Sequence, residues 1–363
     1  MILLLLCVAI LYWIRSLVFY IGARRAAHPG RVQGNEPKIS VVVAARNEEK
    51  NIGQCLRTLV GQEYPADKME IIVMDDGSTD ATGTIISTLI SSYPSVKLFH
   101  VQKEDSHLRG KSRAVAQGFD HASGEIFVTT DADCVVPPLW LKQVASYFDA
   151  KTGVVAGFTL QKYSSVFEAV QSLDWAYILT LASSGMGLRK PLGCIGNNLA
   201  FRREAYESVG GYRKIPFSIT EDLALLQAVC NTGKWDYKYP LDADMLVWSE
   251  PCPSMRSLWS QKCRWALGGK KLGLRGYVVL IVSVLMDLGL LVSLATMQWD
   301  GLLLLFAARW IADIIILMPT LRALRCGKLY KYFIPYEFYA LIYEILLPIG
   351  LMKKEIEWKG RTF

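Results

Sequence analysis

Three long apolar runs constrain this chain more than any other feature. Residues 2–22, Tyr277–Met297 and Leu302–Leu321 each approach the length that crosses a bilayer. The stretch between the first and second has ordinary soluble composition, so the sequence predicts a globular domain held between membrane helices. The first run has no basic residue before it and no small-residue cleavage site after it, whereas Arg24, Arg25 and Arg31 follow closely. That pattern predicts an uncleaved anchor, with the globular domain on the cytoplasmic side. The net charge of +7 reads as charge flanking a membrane surface, because basic residues cluster beside the apolar ends. No basic stripe with interleaved aromatics marks a nucleic-acid surface. Eight cysteines without a C-x-x-C pair, and only four histidines, argue against a zinc site and for a reduced compartment.

The predicted organisation is an anchor over 1–23, a linker over 24–37, a globular domain over 38–270 and a membrane region over 271–363. Within the domain, Ile39–Ala45 (ISVVVAA) is the continuous apolar run of a strand buried on both faces, and it ends in Arg46-Asn47-Glu48-Glu49. A helix is expected from Asn51 to Gly61, then a strand over Glu70–Met74 ending in Asp75-Asp76-Gly77-Ser78-Thr79-Asp80. A helix near Ala81–Ser92, a strand over Val96–Val101 and a helix from Gly110-Lys111-Ser112 to Phe119 follow. The fourth strand, Ile126–Thr130, ends in Asp131 and Asp133 before the turn at Pro137 and Pro138. Such alternation is the signature of an α/β fold with a doubly wound, mostly parallel sheet, whose ligands gather at the carboxyl ends of the strands. Three polar clusters then converge on one crevice. Extended geometry would point Asp131 and Asp133 to the same side, where two hard oxygen ligands suit a divalent cation beside a phosphate. The plainer reading is two solvated carboxylates in a turn. Ser78 and Thr79 suit either a ligand role or the cap of the next helix. No G-x-G-x-x-G or P-loop follows any strand, against a dinucleotide enzyme or P-loop ATPase.

The segments VVVAARNEE, DDGSTD, GKSRAVAQGF and TTDADC, in that order and at this spacing, resemble the family 2 glycosyltransferases, whose catalytic domain has the GT-A fold. The resemblance implies that Asn47, Glu48, Asp75 and Asp76 lie around the nucleotide base and ribose of the donor, with Lys111 beside the nucleotide. It makes Asp133, helped by Asp131, the ligand of an Mg2+ or Mn2+ ion that binds the diphosphate. Ser112 and Arg113 stand where many relatives carry small residues and an Asn. The run Gly193–Arg203, with Asn198 in it, resembles the loop beneath the acceptor, although paired Asn in a Gly-flanked turn also suits left-handed backbone. Thr220-Glu221-Asp222 matches the TED motif, whose Asp is the general base, which assigns Asp222 with Glu221 beside it. The same residues suit a helix start, with Thr220 as cap and acids in the first turn of a helix over Leu223–Asn231. Gln261-Lys262-Cys263-Arg264-Trp265 matches Q-x-x-R-W. Arg264 would then pair with the diphosphate and Trp265 offer a face to the acceptor. A basic segment entering the membrane would explain Lys262, Arg264, Lys270 and Lys271 but not Gln261 and Trp265. One base opposite one metal site describes inversion by direct displacement.

Three further expectations concern the second half. Val154–Leu160 is expected as one strand, and Ser164–Gly187 as a helix in the core or at the membrane interface. The runs after Tyr277 form a tight hairpin, in which Arg309 should meet Asp313 or Asp287, because charges at that depth pair or face protein. Phe333–Leu351, with Pro335, Glu337, Glu344 and Pro348, is expected to be re-entrant, interfacial or spanning. The whole resembles a metal-dependent inverting enzyme of a bacterial inner membrane, using a nucleotide sugar, a UDP-sugar in first place. Its acceptor would be a membrane lipid, as for ceramide glucosyltransferases. The alternative is a processive polysaccharide synthase of the cellulose, hyaluronan or poly-N-acetylglucosamine kind. A sugar nucleotidyltransferase would not explain Q-x-x-R-W, and a noncatalytic scaffold would not explain three carboxylate clusters.

Overall fold

The run ISVVVAA becomes β1, Ile39–Ala45, in the computed structural model, with six of its seven residues fully buried. The structure describes residues 2–34, 36–102, 108–216, 218, 220–269, 273–350, 357–358 and 361–362. They form two compact units, one of Ala26–Leu160 with Gly193–Glu250, the other of Met1–Arg25, Gln161–Leu192 and Pro251–Phe363.

The first of these is built on a seven-stranded sheet. After β1 come α2 (Ile52–Val60), β2 (Met69–Asp75), α3 (Thr82–Ile90), β3 (Val96–His100), α4 (Lys111–Asp120) and β4 (Ile126–Asp131). Then follow β5 (Cys134–Val135), α5 (Trp140–Ser146), β6 (Thr152–Ala156), β7 (Thr159–Gln161), β8 (Leu199–Arg202), α7 (Arg203–Ser208), α8 (Gly211–Lys214), α9 (Glu221–Asn231), β9 (Asp236–Lys238) and β10 (Val247–Ser249). The main sheet runs β3-β2-β1-β4-β8-β6-β9, and β5-β10-β7 form a second, small one. Strands β3, β2, β1 and β4 are parallel, whereas β8 is antiparallel to both its neighbours. Chain order reverses between β1 and β4, which is the switch point where open sheets of this kind bind ligands. Helix α4 lies close against the sheet because residue 118 is glycine; a Cβ there would stand 2.4 Å from a Val42 methyl.

Local details differ from the sequence expectation. The strand expected over Val154–Leu160 is two strands in two sheets, broken at Gly157, whose N–H donates to the Asn198 carbonyl. Ser78 and Thr79 do not cap α3; Asp80 Oδ1 accepts from the Thr82 N–H instead. Thr220 stands at the N-cap of α9, but its hydroxyl makes no capping bond.

The other unit is helical: α1 (Ile2–Ala26), α6 (Val166–Gly187), α10 (Met255–Gly269), α11 (Gly273–Ala295), α12 (Trp299–Ala323) and α13 (Phe333–Gly350). Helix α6 begins with a capping box between Ser165 and Glu168, and most of its residues are buried, so it is core of this unit. Three helices among the described residues are long and apolar enough to cross a membrane: Ile2–Ala26, Val278–Ala295 and Trp299–Ala323. Leu5, Val8 and Ala9 of α1 pack with Met286 and Leu290 of α11 and Leu305 of α12.

Inside this apolar packing lies an ionic network. Arg309, 2% exposed, donates to Asp287, to Glu337 at 3.2 Å and to Glu344 at 3.1 Å, with Asp313 at 3.8 Å. Both expected partners are present, and α13 adds two more. Asp313 also accepts from the hydroxyls of Tyr12 and Tyr177, at 2.8 and 2.9 Å, and Arg15 lies at 3.5 Å. Replacing Arg309 by Met would strip four carboxylates of their shared cation. The Arg309→Met variant is expected to lose about 3–5 kcal/mol, the usual cost of breaking a buried pair, measured as a lowered thermal midpoint in detergent.

Candidate active site

Register brings the acidic strand ends together. Ala45 of β1 lies beside Asp75 of β2, and Ala44 lies beside Asp131 of β4, so the two acidic ends flank β1 on either side, about 10 Å apart across it. The loops that follow are stitched to each other. Asn47, in left-handed backbone with φ 53°, accepts from the Thr79 N–H through its side-chain oxygen at 2.8 Å. Its own N–H donates to Ser78 Oγ, and the Glu48 N–H donates to Thr82 Oγ1. Asp75 is buried, accepting from the Ser78 hydroxyl at 2.6 Å and lying 3.4 Å from His100 Nδ1. Asp76 sits between Arg113 at 3.4 Å and Arg46 at 4.0 Å. His100 escaped the sequence reading, and Arg113 entered it only as a departure from the family pattern, because only the fold makes them neighbours of Asp75 and Asp76.

At the switch point stands Lys111, the first residue of α4, preceded by Gly110 at φ 57°. Its Nζ lies 2.5 Å from Asp131 Oδ1. Burial opposes the charged lysine, but Asp131, then Glu221 and Asp222, outweigh that and hold its pKa above the ordinary value. Asp222 comes from the first turn of α9. Burial raises its pKa, while Lys111 and the N–H groups of Leu223 and Gly196 pull the other way. Gly196 makes the approach of the two groups feasible: a Cβ there would be 3.3 Å from Asp222 Oδ2 and 3.5 Å from Lys111 Nζ. The D-x-D and T-E-D segments thus meet around one lysine, with a glycine between. Gly196 was visible in the sequence only as part of a turn.

Asp131 and Asp133 do not share an extended strand. Strand β4 ends at Asp131, and Asp133 follows in the turn before β5, where it accepts from Ser249 Oγ at 3.3 Å. Among the described residues no group of three or more His, Cys, Asp or Glu side chains could hold a metal ion. Asp131 at the strand end and Asp133 in the turn after it are two carboxylates two residues apart. That donor set fits Mg2+ or Mn2+, which are held by one or two carboxylates together with phosphate oxygens and water.

Asn198 is not gathered into this cluster. It is 2% exposed; its amide hydrogens go to the carbonyls of Phe158 at 2.7 Å and Met245 at 2.9 Å, and its oxygen accepts from Trp140 Nε1 at 3.0 Å. Its side chain is committed to the scaffold. Asn198→Ala would orphan three buried groups and is expected to cost about 3 kcal/mol or more, read as a lower midpoint in a circular-dichroism melt. Gln261, Arg264 and Trp265 lie on α10 in the helical unit. The Trp265 ring there is 5.2 Å from that of Trp175, tilted by 55°.

Comparison with known proteins identifies the class. Superposed on a mannosyltransferase from Pyrobaculum calidifontis solved with GDP-Man and Mn2+, the chain gives a TM-score of 0.63 over 97% of its length and 98% of the other, at 20% identity. The fold is that of the GT-A glycosyltransferases. The Glycosyl transferase family 2 model matches residues 40–210, and the Glycosyl transferase family group 2 model matches residues 126–350. This chain belongs to glycosyltransferase family 2. It is 32% identical over 258 residues to a beta-monoglucosyldiacylglycerol synthase of Nostoc sp., covering 68% of this chain and 52% of that protein. It is 26% identical over 313 residues to a poly-beta-1,6-N-acetyl-D-glucosamine synthase of Staphylococcus epidermidis, covering 82% and 72%. The chain thus spans about half the length of the glycolipid synthase it matches.

Proposed function

We propose that this chain is a membrane-anchored, inverting glycosyltransferase that moves one sugar from a nucleotide donor, a UDP-sugar in first place, to a hydroxyl of a membrane lipid. The observation that carries the reading is the meeting of Asp131, Lys111 and Asp222 at the switch point of the sheet. Asn47, Glu48, Asp75 and Asp76 would receive the base and ribose, in the two loops tied together by Ser78, Thr79 and Thr82. Asp131 and Asp133 would hold a divalent cation, which when bound supplies positive charge to the diphosphate leaving group. Gln261 and Arg264 are assigned to the diphosphate side and Trp265 to the acceptor. The basic residues after α1 support a cytoplasmic side for the catalytic domain.

The chemistry of this chain's residues follows. Asp222 takes the proton from the acceptor hydroxyl as that oxygen bonds to the anomeric carbon and the bond from the same carbon to the diphosphate oxygen breaks. Attack opposite the leaving group inverts the centre. Burial makes Asp222 a stronger base than an exposed carboxylate, and Lys111 keeps enough of it ionised to act. Glu221 adds to the negative charge that keeps Lys111 protonated.

The test is transfer from UDP-glucose to diacylglycerol in nanodiscs, with products separated by size. One glucosyl lipid is expected, abolished by EDTA and restored by Mn2+ or Mg2+. Asp222→Asn should lower turnover about 10²–10⁴-fold without loss of fold. A polymer ladder would favour a second reading, a processive synthase, which draws on the fuller coverage of the Staphylococcus relative. The lipid reading rests on the higher identity to the glycolipid synthase. A folded protein that releases no nucleotide from any nucleotide sugar would sink both.

The pH dependence has a definite sign. The base works only when unprotonated, and its pKa is raised, so activity rises with pH through a value above the ordinary carboxylate range. Removing the Lys111 charge removes an influence that lowers that pKa. The acid limb of kcat/KM is therefore expected at higher pH in Lys111→Met than in the wild type; an unmoved limb would separate Lys111 from Asp222.

A further inference from the structure

The second residue of the Gln261–Trp265 segment is a lysine that the motif does not specify. Lys262 is 1% exposed and pairs with Asp174 of α6, itself 6% exposed. Its Nζ also lies over two aromatic rings, 5.2 Å from the centroid of Trp265 and 5.1 Å from that of Tyr343 on α13. Lys262 and Trp265 are three residues apart on one helix and so are neighbours on its surface. Across from them Trp175 stands one residue after Asp174, its ring 5.2 Å from Trp265. Trp265 is thus held by a cation from its own helix and by an indole from α6, and both contacts trace to one pair of adjacent residues, Asp174 and Trp175.

Buried ion pairs are poor stabilisers, because desolvation offsets most of the attraction and apolar replacements of similar volume are often as stable. The use of such a pair lies in fixing geometry. Here the geometry fixed is that of the half-buried tryptophan beside it.

We propose that the Lys262–Asp174 pair is a positioning device for Trp265, setting the ring as the surface on which the acceptor is received and so controlling acceptor affinity and not donor chemistry. The role given to the ring rests on the functional reading above; the positioning itself does not. Lys262 is a positioning residue, since it acts through Trp265.

The experiment uses the full chain in nanodiscs, labelled with 5-fluorotryptophan, and the variant Lys262→Met/Asp174→Leu, which removes both charges so that neither is left buried and alone. Trp265→Phe assigns the Trp265 resonance, and Lys262→Arg retains a cation above the ring. The Trp265 fluorine resonance is expected to shift or broaden in the double variant and to stay near the wild-type position in Lys262→Arg. With UDP-glucose and diacylglycerol, the acceptor KM should rise about tenfold while kcat and the donor KM stay within about twofold. An unmoved resonance overturns the proposal whatever the kinetics. So does a variant that loses thermal stability or kcat with no change in acceptor KM, because that is the behaviour of structural glue. A resonance that moves while the wild type itself transfers no sugar supports the positioning and removes the glycosyltransferase reading instead.

Discussion

A lysine at the amino end of a helix stands against the helix dipole, and in this protein the cluster at the switch point depends on that placement. Lys111 opens α4, where the backbone N–H groups already carry partial positive charge. It is held there by Asp131, and the ion pair ties the start of α4 to the end of β4. Gly110 supplies the left-handed turn that aims the helix, and Gly118 lets the same helix settle on Val42 and Met74 of the sheet. Loss of either glycine would move the lysine, and with it the charge balance of Asp222. The site is therefore a property of the way one helix lies on one sheet.

The two units solve opposite problems. The sheet unit buries continuous apolar strands and puts its charges at strand ends, where the backbone leaves the core. The helical unit surrounds its charges with apolar side chains and satisfies them against each other, so that Arg309 serves three acidic helices' worth of carboxylates from α11, α12 and α13. The first arrangement sets carboxylates at the sheet edge, where Asp131 and Asp76 are balanced by Lys111 and Arg113. The second leaves them occupied with one another.

Much of the sheet was legible because strands buried on both faces are unbroken apolar runs, and β1 matches its expected limits to the residue. That Asp75 and Asp131 lie on one edge could be read for the same reason, since in a doubly wound sheet all parallel strands end on one edge; Lys111 was placed beside them by the family resemblance alone. The break between β6 and β7 could not, because it depends on the Asn198 amide filling the space left by Gly157, a contact across 41 positions that composition does not record. Asn198 itself carried a misleading signal: a polar residue in a glycine-flanked turn looks exposed until its three partners are known. Phe333–Leu351, with Glu337 and Glu344, was expected to be re-entrant, interfacial or spanning, and its partners could not be read from it alone. The partner of both glutamates was an arginine on another helix, so the helix α13 runs through both.

The Arg309 network also bears on how such a chain would enter a lipid bilayer. An arginine or a carboxylate alone in hydrocarbon is strongly disfavoured, so α11 and α12 gain by entering together, with Asp287 already against Arg309. The connection between them, from Thr296 to Gln298, is short enough to keep the two together during synthesis. Helix α13 is made later and brings Glu337 and Glu344 to a cation that is already in place. The order of the elements along the chain thus brings the carboxylates of α11, α12 and α13 in turn to one shared arginine.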